Sequence, residues 1–126
     1  MHELAIAESI ANVVEARARA CNAARVTVVR LRVGEASGVV PDSLTFCFEM
    51  LTNAEPLLAG ARLTYDIVPH RARCARCDAD FLVADFVAQC PTCGDWSGEI
   101  VSGAELQVLD MEIDTQDEVG EAPWRK

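Results

Sequence analysis

The chain has 126 residues, of which 51% are hydrophobic and 25% charged, and its formal net charge at pH 7 is −9. A chain of this length can bury the core of one domain and carry a small metal-held appendage. The negative charge disfavours a nucleic-acid partner, because such proteins neutralise phosphates with Lys and Arg. No apolar run approaches the ~20 residues that cross a bilayer, and we see no secretion signal. We therefore expect a cytoplasmic protein with no membrane partner.

The first predicted element is an amphipathic helix that starts near the beginning of the chain and continues to about Ala20. This segment contains strong helix formers and neither Gly nor Pro. Its apolar residues recur at the three- and four-residue spacing that places them on one face of a helix. The predicted buried stripe consists of Leu4, Ala7, Ala11, Val14 and Ala18, widened by Ile6, Ile10 and Val13.

A strand and a second helix follow. Residues Val26 to Val33 are rich in β-branched side chains and alternate in polarity, which is typical of a strand. The face expected to be apolar carries Thr27, Val29, Leu31 and Val33. Pro41, with acidic and hydroxyl residues directly after it, is typical of the first turn of a helix. The buried stripe of this helix is predicted to be Leu44, Cys47, Phe48 and Leu51. We interpret Cys47, and Cys21 near the end of the first helix, as small buried hydrophobic residues.

Two further strands are predicted on either side of a cysteine-rich segment. The second strand is Ala61 to Val68, and the third is Glu105 to Asp114. The alternation of the third strand changes phase near Val108 and Leu109, which indicates a bulge or two ends that face different layers. Residues 115–126 contain several acids and no periodicity, so we expect a mobile acidic tail.

The strongest motif is a pair of C-x-x-C units, C-A-R-C at residues 74–77 and C-P-T-C-G at residues 90–94, separated by twelve residues. Two tight turns at this spacing can bring four thiolates to one ion, and a tetrahedron of soft thiolates suits zinc. Gly94 and Asp78 follow the two units and tolerate the left-handed conformation that closes such turns. A pair of disulfides is the alternative interpretation. The predicted structural zinc ligands are Cys74, Cys77, Cys90 and Cys93.

Other residues near the cysteines have weaker assignments. His70, four residues before Cys74, is a polar residue at a strand end or a spare ligand. Phe81 and Trp96 are predicted to supply the small apolar core of this segment. Three arginines in and before the first unit can offset the −2 charge of a zinc tetrathiolate. These are Arg71, Arg73 and Arg76.

The order of elements predicts an α+β fold, in which two helices pack on a small three-stranded sheet. The cysteine segment is an inserted zinc-ribbon domain with four cysteine ligands, located between the second and third strands. We expect a discontinuous α/β domain from residues 1–69 plus 103–114, with the ribbon at 70–102 and the acidic tail at 115–126.

The sequence resembles the HypA/HybF family of nickel metallochaperones, which serve the maturation of [NiFe]-hydrogenases. The resemblance covers residues 1 to about 114. The segments that carry it are Met1-His2-Glu3-Leu4, Val33-Gly34-Glu35, Leu44 to Leu51, the two C-x-x-C units, and Ser102-Gly103-Ala104-Glu105-Leu106.

The resemblance implies a nickel site at the N-terminus, separate from the structural zinc. Its donors would be the amine of Met1, the imidazole and amide of His2, and the amide of Glu3, while the Glu3 side chain would ligate, orient His2 or contact a partner. It also implies delivery of nickel to the hydrogenase large subunit with a partner GTPase of the HypB type, and to urease maturation proteins in some members. No arrangement of nucleophile, base or paired carboxylates indicates catalysis, so we expect a protein that is not an enzyme.

Other functions are compatible with the residues alone. A zinc-ribbon adaptor would dock proteins during metallocentre assembly, with nickel binding incidental. A nucleic-acid-binding ribbon is disfavoured by the net charge. A rubredoxin-like electron carrier, which would bind iron, is suggested only by the C-P-T-C-G unit. We expect a monomer or a weak homodimer.

Overall fold

The computed structural model describes residues 3–115, which form two helices and two three-stranded sheets. The predicted α+β class is confirmed. The elements in chain order are α1 (Glu3–Ala20), β1 (Ala23–Gly34), α2 (Pro41–Thr52), β2 (Arg62–Val68), β3 (Arg71–Cys74), β4 (Ala79–Leu82), β5 (Glu99–Ser102) and β6 (Leu106–Thr115).

The strands form two sheets, of which the sequence predicts the first. The first has the order β2-β1-β6 and contains the three strands that flank the cysteine segment. The second has the order β4-β3-β5 and lies entirely within that segment. In the second sheet β3 pairs antiparallel with both neighbours, and its register against β5 shifts between Arg71 and Ala72. The ribbon is therefore a small sheet inserted between β2 and β6.

Contacts between residues divide the described chain into two compact units. The first contains residues 3–31, Val39–Tyr65 and 108–115; the second contains Arg32–Gly38 and Asp66–Gln107. The second unit includes all of the predicted ribbon, residues 70–102. The domain boundaries that the sequence suggests stay a prediction.

Helix α1 buries four of the eight residues of its predicted stripe. Ala7, Ile10, Val14 and Ala18 are buried, and the helix packs against α2. Leu4 and Val13 are 46% and 42% exposed, so their assignment to the buried stripe is wrong. The periodicity of a helix identifies its apolar face, but it does not reveal how far the partner helix extends along that face.

Strand β1 alternates as predicted in its second half, where Val29, Leu31 and Val33 are buried. In its first half Val26 is fully buried and Thr27 half-buried, so burial does not alternate strictly there. Strand β6 shows the predicted change of phase, because Val108 and Leu109 are both half-buried in succession.

The two cysteines outside the ribbon are less buried than predicted. Cys21 is exposed, because α1 ends at Ala20 and the chain reverses through Asn22, whose φ is +61°. Cys47 is half-buried at the flank of α2, whose buried residues are Leu44, Phe48 and Thr52.

Several sequence predictions concern residues outside the described part of the chain. These are Met1 and His2 and, apart from Thr115, the acidic tail at 115–126. Within residues 3–115, no helix is long and apolar enough to span a membrane.

Candidate metal centre

The first cysteine pair lies on a tight turn at the end of β3. Cys74 is the last residue of β3. In the turn that follows, the backbone nitrogen of Cys77 lies 3.4 Å from the Cys74 Sγ atom and donates a hydrogen bond to it. Asp78 has a φ of +54° and donates its N–H to the Cys74 carbonyl at 2.7 Å. The left-handed residue that the sequence places after this pair is therefore present, and it closes the turn.

The second pair repeats this geometry. Gly94 has a φ of +80° and donates its N–H to the Cys90 carbonyl at 2.9 Å. The N–H of Thr92 lies 3.4 Å from the Cys90 Sγ atom. Both turns aim backbone donors at a sulfur, which favours the thiolate form that a metal ion needs.

The two turns bring the four thiols together. The Sγ atoms of Cys74 and Cys93 are 3.6 Å apart and those of Cys90 and Cys77 are 3.8 Å apart, while all four ligand atoms lie within 4.8 Å of one another. A zinc ion with bonds of about 2.3 Å to four tetrahedral sulfurs would place those sulfurs about 3.8 Å apart. All six cysteines are free thiols, so the alternative of two disulfides is not what this structure contains. The donor set and its spacing fit zinc.

The four thiols differ in acidity. The backbone N–H groups of Cys93 and Thr92 lower the pKa of Cys90 to about 6. Hydrogen bonds with the Cys93 and Cys90 thiols raise the pKa of Cys77 to about 12. The thiol of Cys90 is thus held closer to its thiolate form, and metal binding by all four thiols releases their protons.

The apolar core around the cysteines is small. It consists of Ala72, Cys74, Phe81, Val83 and Cys90. Phe81 is buried as predicted, but Trp96 is 70% exposed, so its assignment to this core is wrong. Two of the five core side chains are predicted metal ligands, which indicates that the ion itself contributes much of the stability of this segment.

The charged residues near the cysteines form ion pairs with one another. The guanidinium nitrogens of Arg73 lie 2.6 Å from a carboxylate oxygen of Asp78 and 3.2 Å from one of Asp80. A guanidinium nitrogen of Arg76 lies 3.2 Å from a carboxylate oxygen of Asp95. His70 is not a member of the four-thiol group, which is the metal-ligand cluster found among residues 3–115. Its suggested role as a spare ligand receives no support from this arrangement.

Glu3 lies at the start of α1, directly after the two undescribed residues of the predicted nickel site. Its Oε2 atom accepts a hydrogen bond from the Val40 N–H at 3.3 Å, and this contact lowers the pKa of Glu3. Val40 is the N-cap of α2 and has no side-chain cap of its own. Glu3 therefore joins the start of α1 to the start of α2, a contact across 37 positions that no local sequence pattern reveals.

A shallow groove beside Glu3 brings in residues that sequence reasoning does not connect with it. Glu3, Leu4, Asp42, Phe46 and Cys47 line this groove, and Phe46 is 64% exposed. The sequence predicts Cys47 only as a core residue. The helical spacing from Leu44 predicts which face of α2 carries Cys47, but it does not predict that Glu3 lies beside that face.

These features define a small metal-binding protein of the α+β class, with a four-thiol centre in an inserted ribbon. The family model described as "Hydrogenase/urease nickel incorporation, metallochaperone, hypA" matches residues 1–113. The chain therefore belongs to the HypA family, whose members are maturation factors and metallochaperones, not enzymes.

Curated relatives agree with this assignment. The chain is 40% identical over 114 residues to the hydrogenase maturation factor HypA of Geobacter metallireducens, covering 90% of this chain and all of that protein. It is 41% identical over 114 residues to the factor of the same name from Geobacter sulfurreducens, with the same coverage. The factor from Streptomyces avermitilis is 44% identical over 113 residues, covering 88% of this chain and 86% of that protein.

Two solved structures have a similar fold. The solution structure of the nickel metallochaperone HypA from Helicobacter pylori superposes with a TM-score of 0.66 at 22% identity, covering 92% of this chain and all of that one. A second solution structure of a HypA protein gives a TM-score of 0.60 at 25% identity, covering 90% of this chain and 96% of the other.

Proposed function

We propose that this protein binds Ni²⁺ at its N-terminus and hands it to a hydrogenase large subunit with the help of a HypB-type GTPase. Met1, His2 and Glu3 would hold the nickel cargo, and Cys74, Cys77, Cys90 and Cys93 would hold a resident structural zinc ion. The observation that carries the proposal is the match to the nickel-incorporation family from residue 1, where the chain reads Met-His-Glu.

The chemistry of the first three residues suits nickel. Ni²⁺ favours nitrogen ligands and readily takes a square-planar geometry. The α-amine of Met1, the backbone amide and imidazole of His2 and the amide of Glu3 offer four nitrogens close together in the chain. Such a site at a chain end leaves its ligands open to replacement one at a time, as transfer to a partner requires.

The contact between Glu3 and Val40 supports a positioning role for Glu3. Because its carboxylate accepts the Val40 N–H, the third residue of the proposed nickel site is held at the start of α2. A fixed third residue reduces the conformational entropy lost when residues 1–3 wrap around the ion. In this view Glu3 contributes its amide to nickel and its side chain to the orientation of the site.

The four-thiol centre has a different role. Four thiolates fill the tetrahedral shell of zinc and leave no position for exchange. Binding of four thiolates contributes on the order of 10 kcal/mol to folding in zinc-dependent peptides. The zinc would therefore stay in the ribbon while nickel passes through the N-terminus.

The test is a nickel titration of the zinc-loaded protein with and without two extra residues ahead of Met1. We expect one nickel per native-ended chain and a large loss of nickel affinity in the extended chain, because the added residues displace the amine from the ligand set. Both proteins should retain one zinc. Equal nickel affinity in the two proteins would contradict the N-terminal site.

A further inference from the structure

The second compact unit, Arg32–Gly38 with Asp66–Gln107, contains an open cleft that neither the zinc nor the proposed nickel site uses. Its volume is about 670 Å³, and its walls include Glu35, His70, Leu82, Asp85 and Phe86. Two of these residues are acidic, and no Lys or Arg lines the cleft. Arg71, the nearest cation in the chain to His70, is not one of the lining residues. The cleft is therefore a negatively charged recess with an aromatic wall.

His70 presents an unsatisfied imidazole to this cleft. Only 9% of the residue is exposed. Its backbone is fully engaged, since the N–H donates to the Glu35 Oε1 atom at 3.0 Å and the carbonyl accepts from Val83 at 2.8 Å. Neither ring nitrogen has a hydrogen-bond partner among residues 3–115. Buried polar groups almost always bond to protein or to ordered water, so the ring nitrogens of His70 are available to a ligand that enters the cleft and displaces water.

The position of the His70 ring is set by its neighbours. The ring meets that of Phe86 edge to face, with centroids 5.4 Å apart and planes at 64°. On another side it lies against Gly103, where a Cβ atom would come within 2.9 Å of the His70 Cδ2 atom. The imidazole is thus held in place without any hydrogen bond from the described residues to its nitrogens.

Phe86 is held at the rim of the cleft in a strained conformation. Asp85 and Phe86 have φ values of +52° and +63° and form the two central residues of a tight turn between Ala84 and Val87. The second position of such a turn normally holds Gly, and a left-handed conformation costs other residues roughly 1–2 kcal/mol. Phe86 is nonetheless 73% exposed, so burial of its ring does not offset this strain. Strain retained at an exposed aromatic residue is typical of a binding site.

The choice of ligand follows from the spacing of these groups. Among the described residues, only the four cysteines bring three or more metal-ligand side chains within 4.8 Å of one another, so the cleft is not a preformed metal site. A guanidinium group is wider than a metal ion, donates five hydrogen bonds from a planar fork and stacks on aromatic rings. It can reach carboxylates and an imidazole nitrogen that are too far apart to share an ion.

We propose that this cleft docks an arginine side chain presented by a partner protein. The guanidinium pairs with the carboxylate of Asp85, donates to the free nitrogen of His70 and lies against the ring of Phe86. Glu35 adds a second negative charge while one of its oxygens holds the His70 backbone. This site is independent of the proposed nickel site, so either can fail without the other.

The test uses the zinc-loaded full chain and the tripeptide acetyl-Gly-Arg-Gly-amide, with acetyl-Gly-citrulline-Gly-amide as the uncharged control. We expect saturable changes in the NMR signals of His70, Asp85 and Phe86 with the arginine peptide and none with the citrulline peptide. Asp85→Asn should weaken binding about tenfold, as for the loss of one charge-assisted pair. Equal responses to the two peptides, or unchanged binding by Asp85→Asn, would overturn the proposal.

Two further variants separate binding from folding and from general charge. Phe86→Gly removes the ring and relieves the left-handed strain, so it should keep the zinc content and the thermal midpoint while arginine binding falls several-fold. Glu8→Gln removes one acid from α1 and should leave arginine binding unchanged. If Phe86→Gly binds the peptide as tightly as the native chain, or if Glu8→Gln weakens binding as much as Asp85→Asn, the cleft is not the site.

Discussion

Gly34 and Gly103 make the closest backbone approach among the glycines of the second compact unit. A Cβ atom on Gly34 would lie 2.1 Å from the Gly103 carbonyl oxygen. That same oxygen accepts the Ala36 N–H at 2.7 Å, and the Gly34 N–H donates to the Glu105 carbonyl at 2.7 Å. Gly103 itself has a φ of +117° and leaves room for His70. Both glycines are therefore required by contact with backbone atoms, which cannot move aside as a flexible side chain can.

Replacement of Gly34 by Ala should destabilise the protein. The new methyl group meets a backbone carbonyl, so the expected loss in unfolding free energy is about 1–3 kcal/mol, the range for overpacked sites. Gly98→Ala is the matched control, because nothing lies within 4 Å of a Cβ at that position. Its effect should be within about 0.5 kcal/mol. Urea denaturation of both variants measures the difference, and similar midpoints would contradict the predicted clash.

At the scale of elements, the sequence predicts most helices and strands because each has a local periodicity. The C-x-x-C spacing likewise indicates the two converging turns, since the geometry of each turn depends on four or five adjacent residues. The errors arise where neighbours distant in the chain decide the outcome. Trp96 is exposed because the ribbon core is too small to cover it, and the half-burial of Cys47 depends on how α2 sits beside its neighbours. The contact between Glu3 and Val40 and the arginine cleft also join distant segments, so periodicity could not reveal them.

Removal of zinc should unfold the ribbon selectively. Its core has five side chains, two of which would be metal ligands, so little apolar burial remains without the ion. A strong chelator should collapse the NMR amide signals of residues 70–102, while the signals of α1 and α2 persist with their helical circular dichroism. Retention of dispersed signals from residues 70–102 after complete metal removal would contradict this expectation.

At the scale of the whole molecule, the chain places its two proposed metal sites in different compact units. Glu3 belongs to the first unit and the four cysteines to the second. The net charge of −9 is suited to attracting metal cations and basic protein partners, and it repels nucleic acid. Each unit has its own buried residues, so each metal should be held by local structure.

The two metals should bind independently. We expect His2→Ala to lose nickel binding while its zinc content and circular dichroism match those of the native chain. Conversely, Cys93→Ser should lose zinc while nickel still binds the N-terminus with an affinity within about threefold of native. Metal analysis after gel filtration measures both contents. Loss of zinc in His2→Ala would show that the sites are coupled.

The two ends of the ribbon insertion meet, because the Ser102 hydroxyl donates to the Pro69 carbonyl at 2.7 Å. Domain insertion is tolerated where the ends of the inserted segment lie close together. Insertions or deletions between these two ends can therefore be accommodated without moving Pro69 and Ser102 apart. For evolution, this lets the segment between Pro69 and Ser102 vary in length, while Glu35 and the three residues that would carry nickel lie outside the part that changes.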